Sequence, residues 1–324
     1  MSRTALVAGV AAAVAVGVPA VLRILRLLRE RGKATATELS LAKFDEAVRK
    51  VGFQEQLTAL RAARRSSIRL RTIAPGIVAP GRSKIGGRPD LPAGLAWPEP
   101  QGKPLPFFAQ LALAELAPYD EQGLLPKDGW LVFFAAPNEL LIETADECWD
   151  WKVLYLPSGS DLVPRELPAG IPANDRYVEC GLEILSEDCL PGLESPAGKA
   201  LGITNYAAMD AYGKLQLALA GGEEQTGKLY VHPAVHRVFG WPDAIQADPF
   251  LESESAVTPL KPGGAERSAK VARGAADWVL LLQVDSDKNP DTMFGDVGRL
   301  YFSIRKQDIA ARAFHETWCV LQYH

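Results

Sequence analysis

Apolar residues along this chain follow two rhythms. Between residues 41 and 60 they recur at three- and four-residue intervals. Leu41, Phe44, Val48 and Val51 follow a cap at Ser40 and stop at Gly52, and Phe53, Leu57 and Leu60 start again. That spacing lines one face of a helix, so two short helices are expected. Arg61, Arg64 and Arg65 extend the second as a basic edge. SIRLRTI (Ser67 to Ile73) then alternates like a strand, and APGIVAPGRSK reads as a Pro/Gly connector. Past residue 84 the apolar runs shorten and fill with aromatic and β-branched residues: Trp130 to Phe134, Trp151 to Leu156, Val279 to Val284 and Leu300 to Ile304. Each is closed by Pro, Gly or Asp, which suits strands. Helical spacing survives at Thr204 to Ala220 and Gln307 to Phe314. Pro249 to Gly274, rich in Ser, Pro, Gly and charge, is expected to be an inserted mobile loop.

The strand-like runs repeat. GGRPD (Gly86 to Asp90), LPFFAQLAL (Leu105 to Leu113) and GWLVFF (Gly129 to Phe134) are answered in the same order by FGWPD (Phe239 to Asp243), VLLLQVDSD (Val279 to Asp287) and GRLYFS (Gly298 to Ser303). Offsets run from 153 through 173 to 169 residues, with Gly, Pro, Asp and Gln at matching places. Each unit reads as a Pro-Asp turn, a buried strand carrying Gln, a loop, and a second strand after Gly. The expected fold class is therefore a β-rich α+β body of antiparallel strands built by internal duplication, with a few helices and N-terminal helices in front. Its expected divisions are a membrane anchor or signal-like helix with a basic flank over residues 1–33, a helical segment over 34–75, and the duplicated domain over 76–324. The copies span about 84–136 and 236–305.

SKIGGRPDLPAGLAWP, PLPFFAQLAL and LLPKDGWLVFF, followed by HRVFGWPDAIQ, LLLQVDSD and GDVGRLYFSI, resemble the bacterial YwqG-like proteins, a family of unknown function. The resemblance covers about residues 40–324 and implies a single β-rich body in which the two copies pack together. It implies no activity and no catalytic residues, and the N-terminal apolar segment is not part of it.

Composition is that of a globular protein, at 48% hydrophobic and 23% charged residues. Charge is divided unevenly: residues 1–84 hold 16 Lys and Arg against 5 Asp and Glu, and the remainder carries a net −15. An acidic body argues against nucleic acid as a partner. Thr4 to Leu22 has no charged side chain and as a helix would extend about 28 Å, close to a hydrocarbon core. Arg23, Arg26, Arg29, Arg31 and Lys33 follow it. By the positive-inside rule the body then lies in the cytoplasm, with the membrane as partner through residues 4–33. Cleavage after the small residues Ala13 to Ala15, leaving a periplasmic protein, is the alternative.

Candidate chemistry is sparse. Cys148, Cys180, Cys189 and Cys319 show no CxxC pairing and read as free thiols, and acidic neighbours disfavour a thiolate at Cys148. GEEQTGK (Gly222 to Lys228) has phosphate-loop spacing but offers Leu229 where Ser or Thr must hold magnesium. His232 and His236 stand four apart with Pro233 between them, which argues against a helical metal pair. The loop DSDKNPDTMFGD places Asp285, Asp287, Asn289, Asp291 and Asp296 at the ligand spacing of a calcium loop, with Pro290 where the turn needs Gly. A Ca²⁺ or Mg²⁺ site there would make a metal-dependent enzyme, such as a hydrolase. Gln110 and Gln283, polar inside apolar strands, either brace their own Pro-Asp turns or open onto a ligand groove between the copies. Such a groove would draw on Gln110, Gln283, Trp97, Trp241, Asp90, Asp243 and His236. No catalytic constellation is complete. The leading expectation is a membrane-tethered cytoplasmic binding or interaction module, with an unknown protein or small molecule as partner and no cofactor.

Overall fold

A computed structural model describes residues 40–137, 150–222, 233–258 and 264–324. The expected anchor with its basic flank, Cys148, His232 and the phosphate-loop-like run after Gly222 lie outside them. The chain divides into two compact units, Met1–Leu57 and Thr58–His324. In the first, residues 40–50 are helical, with Phe44 and Val48 buried as their spacing requires.

The second unit is β-rich. Its main sheet has ten antiparallel strands in the order β12-β11-β10-β9-β1-β8-β2-β4-β5-β6, and β3 (Asp90–Pro92) pairs separately with β7 (Leu162–Pro164). One half of the sheet holds β8 (Cys180–Cys189), β2 (Lys84–Ile85), β4 (Phe107–Ala112), β5 (Trp130–Ala135) and β6 (Trp151–Leu156). The other holds β1 (Arg65–Thr72), β9 (His236–Val238), β10 (Trp278–Asp285), β11 (Arg299–Arg305) and β12 (Trp318–Gln322). The innermost strands are exchanged. β1 precedes the first copy in the chain yet pairs with β9 of the second, and β8, which precedes the second, pairs with β2 of the first. The long β1–β8 ladder joins the halves. β1 starts well before residue 76, where the duplicated body was expected to begin.

The central strands β4 and β10 are buried at every position, as their continuous apolar runs require. Each has a register shift at a matching place, between Phe107 and Ala109 and between Leu280 and Leu282. The outer strands of the two halves face each other. Phe133 and Phe302, which occupy the same place in the third repeated block, meet edge-on with ring centroids 5.2 Å apart. At the seam Trp151 meets Trp318 at 4.8 Å and Tyr155 meets Phe314 at 5.4 Å. Phe133 touching its own counterpart Phe302 is the mark of a two-fold relation between the copies.

The expected mobile loop over 249–274 is corrected: Pro249–Val257 and Ala265–Gly274 are helices. Asp248 caps the first by accepting the Phe250 N–H at 2.8 Å, and Pro249 stands where a helix needs no donor. Phe250 and Glu254 are buried, so packing overrides a loop-like composition. Tyr206–Leu219 is helical close to its expected limits, with Asn205 accepting the Ala208 N–H. The expected helix over 307–314 is shorter, Lys306–Ala310, and a separate turn follows at Phe314–Glu316. Among the described residues no helix is long and apolar enough to cross a membrane.

Candidate functional site

The repeated residues form two matching braces. Gln110 Oε1 accepts the Asp90 N–H at 2.8 Å, while its Nε2 donates to Asp90 Oδ2 at 2.8 Å and to the Arg82 carbonyl at 3.1 Å. Gln283 repeats this with the Asp243 N–H at 2.9 Å, Asp243 Oδ2 at 3.3 Å and the Val235 carbonyl at 2.7 Å. Both amides are fully buried, so these bonds satisfy groups that would otherwise be costly. A cation completes each brace: Lys84 lies 3.1 Å from Asp90, and Arg237 lies 3.2 Å from Asp243. Gly87 and Gly240 share a left-handed φ of 73° and 75°. A Cβ on Gly240 would fall 2.5 Å from Cys189 Sγ, so the turn needs glycine there.

Away from the braces the copies diverge. Ser83 Oγ accepts the Ala112 N–H at 2.9 Å; at the matching place His236 Nδ1 accepts the Asp285 N–H at 3.1 Å. That bond leaves the ring proton on Nε2, which donates to Asp287 Oδ2 at 3.0 Å. With both nitrogens engaged, the ring has no free lone pair for general-base work. Asp287 Oδ2 also accepts Thr72 Oγ1 at 2.6 Å, and Oδ1 accepts the Asn289 N–H at 3.1 Å. Burial alone would raise this carboxyl, but the bonds from His236, Thr72 and Asn289 outweigh it and hold it at about 2.

The remaining acidic-loop residues are arranged as follows. Asp285 Oδ2 accepts the Val235 N–H at 2.9 Å and pairs with Arg299 at 3.0 Å. Asp291 and Asp296 are exposed, and Asn289 donates to Thr72. A cation here would have to displace Arg299 from Asp285, and His236 and Thr72 from Asp287. Among the described residues no three His, Cys, Asp or Glu are grouped to hold a metal. Cys180, Cys189 and Cys319 are free and buried, and burial pushes the Cys189 thiol up to about 11 and Cys319 well above its usual value.

Trp97 donates to the Leu105 carbonyl at 3.0 Å and meets Phe134 edge-on. Trp241 donates to the Ala63 carbonyl at 2.7 Å, and Arg65 stacks on its ring at 3.3 Å. Gln110, Gln283, Asp90, Asp243, His236 and these two tryptophans are thus held in the frame of the two turns, and none of them lines the aromatic-walled groove nearby.

That groove lies at the seam between the copies and encloses about 580 Å³. Pro98, Pro100, Leu105, Trp151, Val257 and Trp318 supply its apolar walls, and Glu99, Lys152, His315 and Glu316 its charged groups. A second hollow of about 540 Å³ shares Pro100 and Leu105 with it. Both volumes suit a small ligand. The groove's residues come from four stretches far apart in sequence, 98–105, 151–152, 257 and 315–318, and none carries a motif. WKVLYL (151–156) and WCVLQ (318–322) form the two edge strands, but their ladders match Trp318 to Lys152 and not to Trp151, so the likeness of the two runs does not point to the groove.

No curated protein matches the chain. The family described as Domain of unknown function (DUF1963) matches residues 83–322, from the residue before β2 to the last residue of β12. That span holds both glutamines with their Pro-Asp turns and the whole groove, and covers most of the chain: the protein belongs to the DUF1963 family.

Proposed function

We propose that this protein is a membrane-tethered, cytoplasmic, non-catalytic binding module, YwqG-like within its family, whose ligand site is the groove at the seam. The groove carries this reading: an aromatic- and proline-walled hollow of about 580 Å³ at the junction of the copies, with charged groups along its lining. Support also comes from the groups best suited to chemistry. His236, Asp285 and Asp287 are committed to internal bonds, and the described thiols are buried. The tether rests on the uncharged run Thr4 to Leu22 and its basic flank.

The test has two arms. Deleting residues 1–33 should move the protein from the membrane to the soluble fraction; continued membrane association overturns the tether. Trp318→Ala should abolish saturable binding of small apolar probes by the full chain; unchanged binding overturns the groove.

A further inference from the structure

The seam groove holds hydrogen-bonding capacity that the protein does not use. Trp97, Trp130, Trp151, Trp241 and Trp278 each donate their indole N–H to a protein oxygen at 2.7–3.0 Å. Trp318, only 7% exposed, donates to none among the described residues. An indole is a donor only, and Trp318 Nε1 is not among the described buried atoms that lack a partner, so this donor opens to solvent at the groove.

The charges of the lining sort the same way. His315 and Glu316 pair with each other at 3.2 Å. Lys152 and Glu99 are exposed, and neither has an ion-pair partner among the described residues. Lys152 is the cross-strand partner of Phe134, so its side chain stands on the face where Phe134 packs with Leu105, a groove wall. Trp318 is the cross-strand partner of Ser303, the residue that answers Phe134 in the repeat. Lys152 and Trp318 are therefore equivalent positions on the two edge strands, and each brings a donor. What the groove lacks is an acceptor for Lys152 and Trp318, a cation for Glu99, and an apolar body between them.

Resting on the binding-module reading, we propose that the groove takes a small apolar zwitterion, a free apolar amino acid or dipeptide. Its carboxylate meets the Lys152 ammonium and the Trp318 N–H, its ammonium meets Glu99, and its side chains lie against Trp151, Leu105 and Val257.

Isothermal titration of the full-length chain with L-leucyl-L-leucine, its N-acetyl form and its C-terminal amide tests this. Each blocked end should weaken binding roughly tenfold, the loss expected for a charge-assisted hydrogen bond. The loss should be residue-specific. Glu99→Gln should make N-acetylation neutral, and Lys152→Met or Trp318→Phe should make amidation nearly so. Equal affinity for all three forms overturns the zwitterion while leaving an apolar binding groove. No binding of any form overturns both.

Discussion

The first copy fixes its turn with one buried cation, and the second does so with a network. Lys84 is the charged partner nearest Asp90, which is fully buried and whose Oδ1 has no hydrogen-bond partner among the described residues. Asp243 instead feels Arg237, Arg299 and Arg69 together. Burial would raise its carboxyl, and the three guanidinium groups with Gln283 hold it below the usual range. Arg237 also reaches Glu187 at 3.3 Å, and Arg69 reaches the same carboxylate at 3.1 Å. Identical backbone tasks are thus met by a minimal device in one half and a redundant one in the other. The repeated residues are scaffold, and the differences measure how much each half can lose.

The sharpest way to break this comparison is to remove the cations. Lys84→Met leaves Asp90 charged and buried without a counter-ion, and should cost about 4 kcal/mol of unfolding free energy. Arg237→Met leaves Arg69 and Arg299 to compensate, and should cost only about half as much, near 2 kcal/mol. Urea unfolding of the two variants decides it; an equal or larger loss at Arg237 would show the network to be no more tolerant than the single pair.

A smaller, symmetric effect is expected at the glutamines. Gln110→Leu and Gln283→Leu each orphan a backbone N–H and a carbonyl in the interior, and should each cost about 2–3 kcal/mol. A difference of more than about 1 kcal/mol between them would mean that the braces are not equivalent.

The smallest effect separates the copies by pH. Asp287 has no acidic counterpart in the first copy, where Ala114 stands two residues after Ala112 as Asp287 does after Asp285. Its carboxyl is held at about 2 in the folded protein, below the unfolded value of about 4. The stability it contributes is therefore complete above about pH 4 and is lost as pH falls toward 2. Asp287→Asn should flatten the stability–pH curve in that window and leave its slope between pH 6 and 8 unchanged. An unaltered acid slope would mean that the His236 and Thr72 bonds do not hold the charge.

The duplication was legible because its residues do the same backbone work twice. Pro-Asp before a strand carrying Gln is a brace that sequence can display, since donor and acceptor types are fixed by the bonds they make. The exchange of β1 and β8 left no such trace: each sits beside the copy it does not adjoin in sequence, and a ladder of backbone bonds asks little of side-chain identity. The helix at Pro249–Val257 was hidden for a related reason, because Phe250 and Glu254 find their partners only in the folded body. Glu254 takes Trp278 Nε1 at 2.8 Å and Arg305 at 2.6 Å. The groove was the least legible of all. Glu99, Lys152 and Trp318 line one groove only because the two halves of the sheet close on each other, and no spacing along the chain records that.

If shared residues are scaffold and unshared ones carry binding, stability and ligand response should separate. The most direct measurement is the shift in Tm produced by a fixed excess of L-leucyl-L-leucine in the wild type, Gln110→Leu and Trp318→Phe, since a ligand of the native state stabilises it by RT ln(1 + [L]/Kd). Gln110→Leu should melt at a lower temperature but keep the ligand-induced shift, and Trp318→Phe should melt near the wild type but show a clearly smaller one. A shift that disappears in Gln110→Leu and persists in Trp318→Phe would contradict the account.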